Sequence, residues 1–339
     1  MTILESPLMP INSKKRCIQL LAWWVIWGCT MFVQSSNAKS VQTSHANDIT
    51  CNARDAHTLK SLSALLTSQK NIPFEVVDQE RYQHAKALFS GLFNMPETES
   101  KTLPVAELPD SLNALAQAAG FCQQWLRVTH MKQEHLVLLL MERTETAKGQ
   151  GAYLFAMNRP LKFVIQAPHQ YFDYKTGHLA LQLFFEQNLR AIALNTVHRK
   201  QTDQSDLAHQ ANSLFSAFAE ALPHQNSERY LLQIHGFGKK NRETEAGRLA
   251  DIILSNGSRS PSTFLTHAQT RMNQATDFKT YLYGADINEL GGTRNSSLAI
   301  LANHNQQRHF IHMELSAEAR KELRRSYPLR EALWSSWPQ

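Results

Sequence analysis

The order of elements along residues 161–325 predicts an α/β fold, a mixed but mostly parallel sheet flanked by helices. Two observations carry this expectation. Short apolar runs of four to six residues alternate with longer segments of helical periodicity. The runs are apolar over most of their length and rich in Val, Leu, Ile and aromatics. Composition agrees, since 42% of the 339 residues are hydrophobic and 19% charged, enough for a sizeable core.

Phe163–Ala167 reads as the first strand of this region, Leu179–Gln187 as a helix and Ala191–Thr196 as the next strand. Ala211–Leu222 is helical, and Tyr230–Ile234 and Asp251–Ser255 are strands. A helix around Phe264–Met272, strands Thr280–Tyr283 and His309–Glu314, and a closing helix Ala317–Arg325 complete the series. Before residue 161 the pattern differs and predicts an N-terminal α+β extension. Leucines at helical spacing mark Asp55–Gln69, and Ala85, Leu88, Phe89 and Leu92 mark a second helix; a third covers Leu112–Ala119. Phe121–Val128, His135–Met141 and Ala152–Ala156 read as strands, the last two as a hairpin over the turn at residues 148–151. The expected organisation is a leader (1–38), a region of helices and a hairpin without assigned role (39–160), and the α/β domain (161–339).

The leader has the marks of an export signal. Lys14-Lys15-Arg16 precedes an uncharged run, Cys17 to Val33, and Ser36-Asn37-Ala38 places small residues where a signal peptidase reads. Cleavage before Lys39 gives a periplasmic or secreted chain with no stable membrane span. The alternatives are an uncleaved anchor, for which the run is shorter than the roughly 20 residues a bilayer requires, and a lipoprotein cut at Cys29, where bulky Trp27 fits poorly. Cys17 and Cys29 would leave with the leader. Cys51 and Cys122 then form a single pair in an oxidising compartment, either as a disulfide or as one exposed thiol and one buried apolar residue. A mean hydropathy of −0.38 excludes a multi-spanning membrane protein. A net charge of +6 is modest for this length and gives no reason to expect a nucleic-acid partner.

In open α/β sheets, ligands sit beyond the carboxyl ends of the strands. Three such positions carry polar side chains. His169 and Asp173 follow the first strand of the domain, His235 ends the run Tyr-Leu-Leu-Gln-Ile, and Glu314 ends the last strand. Two imidazoles and a carboxylate can hold zinc with one coordination position open, and a separate carboxylate can then act as base. An acid closing an apolar run also costs several kcal/mol if buried without a partner. A lone His after a strand is more often a hydrogen-bonded structural residue; Glu314 and the conjunction of three polar strand ends point to a metal.

The order of these residues resembles the zinc carboxypeptidase superfamily, in particular its amidohydrolase branches, the N-formylglutamate amidohydrolases and phage-type poly-γ-glutamate hydrolases. The resemblance covers about residues 161–325, roughly half of the chain, and its matching stretches are residues 167–177, 195–199, 233–238, 291–294 and 313–316. The resemblance implies a carboxypeptidase-like fold, with Zn2+ held by His169, Asp173 and His235 and Glu314 as general base. The sequence departs from the family's His-x-x-Glu spacing, with three residues between His169 and Asp173 and Asp in place of Glu.

Hydrolysis of an amide beside a carboxylate needs cations for that carboxylate and for the developing oxyanion. Arg199, after the strand Ala191–Thr196, and Arg294, in a Gly-rich segment, are the candidates; the plain alternative is two surface arginines. His209 precedes a helix and can hydrogen-bond substrate or a zinc ligand. The expected activity is that of an exported zinc-dependent amidohydrolase or metallopeptidase. Its substrate would be an amide- or peptide-containing small molecule, or a cell-wall or γ-glutamyl polymer. A non-catalytic zinc- or peptide-binding envelope protein and a structural envelope protein are the other classes that fit.

Overall fold

A computed structural model of the chain describes residues 51, 53, 55–68, 71–97, 108–222 and 229–338. The expected leader and its cleavage point lie outside these residues. Among the described residues no helix is long and apolar enough to cross a membrane.

Three helices, α1 (Leu59–Ser68), α2 (Gln79–Asn94) and α3 (Asp110–Ala118), precede the strands β1 (Phe121–His130), β2 (Gln133–Glu142) and β3 (Ala152–Phe155). Then follow β4 (Phe163–Ala167), α4 (Thr176–Glu186), β5 (Ala191–Leu194), α5 (Leu214–Glu220), β6 (Tyr230–Phe237), α6 (Glu245–Leu249) and β7 (Ile252–Ser255). The chain continues through α7 (Thr263–Ala275), β8 (Thr280–Leu282), α8 (Ser296–Asn303), β9 (Phe310–Ser316), α9 (Ala317–Arg325) and α10 (Tyr327–Ser335).

The described strands form one nine-stranded sheet in the order β1-β2-β3-β5-β4-β6-β9-β7-β8. The α/β class, the mixed sheet and the flanking helices are as expected; within residues 161–325 four of the five strand pairings are parallel, and β1–β3 add an antiparallel half. Parallel pairing joins β5, β4, β6 and β9, and separately β7 and β8. The β1–β2–β3–β5 series and the β9–β7 pair are antiparallel. The sheet therefore runs without a break across residue 160.

Alternate residues of the central strands feed two cores. Ile165, Leu232, Ile234, Ile311 and Met313 face one helical layer that includes α1, α4 and α9. Val164, Leu231 and Phe310 face the other, where Phe218 meets Phe89 edge-on and Phe155 at a tilt. This second face also carries polar side chains. Gln166, Gln233 and His312 lie in register across β4, β6 and β9, next to Ser255 on β7. One step further along, His235 on β6 stands beside Glu314 on β9. From β4 the chain crosses to β5 on one side and then to β6 on the other. This leaves a crevice at the carboxyl ends of β4 and β6, the usual place for a ligand in such sheets.

Two of the strands that bear site residues, β6 and β9, extend further than the sequence pattern predicts. His235 and Glu314 lie inside β6 and β9, not at their ends, because parallel pairing continues to Phe237 and Ser316. A polar side chain does not end a strand when it points into a pocket and the backbone ladder beside it is intact. Ser316 supplies the stop instead, its hydroxyl accepting from the Ala319 amide at the start of α9.

Cys51 and Cys122 are joined in a disulfide, with Cα atoms 5.0 Å apart and 71 positions separating them. It ties the segment before α1 to the edge strand β1. In the chain-entropy account, closing a loop of this size contributes about 4 kcal/mol. The double variant Cys51→Ser/Cys122→Ser should lose up to about that much stability in urea unfolding of the full chain. An unchanged midpoint would show that the bridge does not constrain the unfolded chain.

Candidate metal centre

His169 sits two residues beyond β4 and Asp173 one turn later, where the amides of Phe172 and Asp173 bond back to the His169 carbonyl. This tight turn returns the Asp173 carboxylate over the imidazole. Asp173 Oδ2 lies 3.4 Å from His169 Nδ1 and 3.4 Å from His235 Nδ1. The edge of a tetrahedron with metal–ligand bonds of about 2.1 Å is about 3.4 Å, so both distances suit three ligands of one ion. All three side chains are buried.

The far side of each ring supports this assignment. His169 Nε2 is 2.7 Å from Asp206 Oδ1, and His235 Nε2 is 3.1 Å from Gln233 Oε1. With the proton on Nε2, each ring has an acceptor there and turns its Nδ1 lone pair towards Asp173. Outer acceptors of this kind fix the tautomer of metal-binding histidines. The residues fit a metal ion of the zinc type, with one adjustment. Arg199 NH1 is 3.1 Å from His169 Nδ1, and it must leave that lone pair for an ion to use it.

A second group, His235, His312 and Glu314, also clusters closely enough to hold a metal. It shares His235 with the first, and that ring turns Nδ1 to Asp173 Oδ2 and Nε2 to Gln233 Oε1. His312 Nε2 is 3.8 Å from Glu314 Oε1, and the His312 ring lies 4.4 Å from that of His235, centroid to centroid. His312 Nδ1 and Glu314 Oε2 are buried without a hydrogen-bond partner among the described residues. Gly292, at φ +64°, backs this ring, and a Cβ there would come within 2.7 Å of the imidazole. Only glycine combines that backbone conformation with that approach.

The charges follow from burial and neighbours. Burial opposes ionisation of Asp173, but the hydrogen bonds and charge of His169 and His235 outweigh it and hold the carboxyl well below the usual range. Burial likewise opposes protonation of His169, and Asp173 and Asp206 outweigh it and push the imidazole up. For His235 burial dominates and lowers it to about 4. Glu314 is raised to about 8, first by burial and then by the charge of Asp173, which the nearby arginines offset only in part. A cation bound beside Asp173 would reverse this last effect.

Six of the seven residues singled out by sequence, His169, Arg199, His209, His235, Arg294 and Glu314, line one pocket of about 210 Å3. Asp173, the seventh, touches two of them from the side. Arg199 pairs with Asp206 through NH2, so its charge is already partly matched. His209 Nδ1 approaches the same carboxylate at 3.1 Å. Arg294 is exposed at the rim. Asp206, Gln233 and His312 were not singled out. Asp206 lies in a polar stretch that reads as surface. Gln233 and His312 did carry a signal, as polar residues inside apolar strands. No family model matches the chain, and no curated protein matches it in sequence.

The two groups make different predictions for metal content. His169→Ala and Asp173→Ala should each abolish stoichiometric zinc binding, measured by elemental analysis after dialysis. His312→Ala should keep it. Loss of zinc in His312→Ala with retention in His169→Ala would move the ion to the second group.

Proposed function

We propose that the protein is an exported, zinc-dependent hydrolase of amide or peptide bonds, related to the carboxypeptidase-like amidohydrolases that its motif order resembles. The observation that carries this reading is the convergence of two imidazole Nδ1 atoms on Asp173 Oδ2, with the buried carboxylate of Glu314 in the same pocket. His169, Asp173 and His235 would hold the ion. Bound zinc supplies Lewis acidity and a water of lowered pKa.

The chain's own residues supply the rest. Glu314 has an oxygen, Oε2, without a hydrogen-bond partner among the described residues. It accepts a proton from the attacking water and returns it to the leaving nitrogen, the general acid–base role. Arg199 is the donor for negative charge developing on the carbonyl oxygen. Arg294, at the exposed rim, meets a carboxylate of the substrate, and His209 contributes a further polar contact. The substrate in this reading is a peptide or an N-acyl amino acid, or one unit of a cell-wall peptide or γ-glutamyl polymer. The export pattern of residues 14–38 and the Cys51–Cys122 disulfide support a periplasmic or secreted location.

Glu314→Gln keeps the size of the side chain and removes the basic carboxylate. Its zinc content should match wild type, while turnover on a panel of N-acyl amino acids and γ-glutamyl and cell-wall peptides falls about 10²-fold or more. Undiminished turnover would contradict the mechanism. A wild-type protein that binds zinc and cleaves nothing in the panel would favour the binding-protein alternative.

A further inference from the structure

The buried amides beneath the site form a chain whose orientation is fixed at both ends by backbone groups. At one end the Ser297 amide donates to Asn295 Oδ1 at 2.9 Å. A backbone N–H cannot become an acceptor, so Asn295 must turn its NH2 group the other way. That group donates to Gln233 Oε1 at 2.6 Å. At the other end Gln166 Nε2 donates to the Phe215 carbonyl at 2.9 Å. Gln166 therefore presents its oxygen to Gln233, whose Nε2 donates to it at 2.7 Å and to Ser297 Oγ at 3.1 Å. Both ends give the same orientation of Gln233, with oxygen towards Asn295 and His235 and nitrogen towards Gln166.

An oxygen at that position accepts only a proton, and the atom of His235 that faces it is Nε2, at 3.1 Å. We infer that Gln233, locked between the Ser297 amide and the Phe215 carbonyl, is the positioning residue that holds His235 in the Nε2–H tautomer and so makes Nδ1 its metal-binding atom. Gln166 and Gln233 are fully buried, so solvent does not reach the bonds that lock them. The competitor is within the site. Asp173 Oδ2, 3.4 Å from His235 Nδ1, would draw the proton to that nitrogen if Gln233 did not hold it on the other. The same Gln233 oxygen also bonds Asn295, which lines the pocket and caps α8. The metal ligand and this part of the pocket wall thus share one acceptor.

The consequence for metal rests on the zinc reading above; the tautomer does not. Nitrogen-15 NMR of the metal-free full chain at neutral pH reads the tautomer directly, and zinc competition against a chelator reads the consequence. Wild type should show His235 protonated at Nε2. Gln233→Leu removes the acceptor, so the proton should move to Nδ1 and zinc affinity should fall 10–100-fold, the usual effect of losing an outer partner. Gln233→Met keeps nearly the same length and shape and likewise lacks the acceptor oxygen. It should move the same proton, which keeps the test available if Gln233→Leu does not fold. An Nε2–H signal that persists in either folded variant overturns the inference. If wild-type protein binds no zinc, the metal reading fails while the tautomer still decides the role of Gln233.

Discussion

One carboxylate oxygen, Asp173 Oδ2, stands between the Nδ1 atoms of two buried imidazoles, and the surrounding structure makes that contact tolerable. Burying a carboxylate and two imidazoles is unfavourable unless every polar atom has a partner. Here Asp206 and Gln233 take the outer nitrogens, and the backbone turn after β4 holds the carboxylate in place. The inner atoms face one another at the spacing three ligands of one ion would have. Such a group could hold a metal ion.

The two histidines are supported differently. His169 rests on a carboxylate that also holds Arg199 and His209, at the partly exposed side of the pocket. His235 rests on a neutral amide network inside the sheet. The charged support raises ligand basicity, and the neutral support avoids placing a second buried charge beside Glu314. The sheet makes this economical in space, because Gln166, Gln233 and His312 project from neighbouring strands in register on the same face.

Much of the central sheet was legible because β4, β5, β6 and β7 are short runs buried on both faces, which leave a continuous apolar signature. His169, His235 and Glu314 were legible as polar residues where such runs break. The ends of β6 and β9 were not, since Gly236, Phe237, Leu315 and Ser316 continue the ladder through backbone bonds that no side-chain pattern records. Helix α8 was missed because it begins Asn-Ser-Ser, which reads as loop until the Asn295 cap is seen. Helix α10 was missed for its early Pro328. The antiparallel half of the sheet depends on β3 pairing with β5 across β4 in sequence, a long-range choice that local periodicity does not contain. Gln166 and Gln233 were each visible as amides within apolar strands, but their role depends on register, which places them side by side.

Anomalous diffraction at the zinc edge, from crystals of the full chain grown with zinc, tests the central claim most directly. The account predicts one strong peak about 2.0–2.2 Å from His169 Nδ1, His235 Nδ1 and an Asp173 oxygen. A peak bound by His312 and Glu314 instead, or no peak in this pocket, would contradict it.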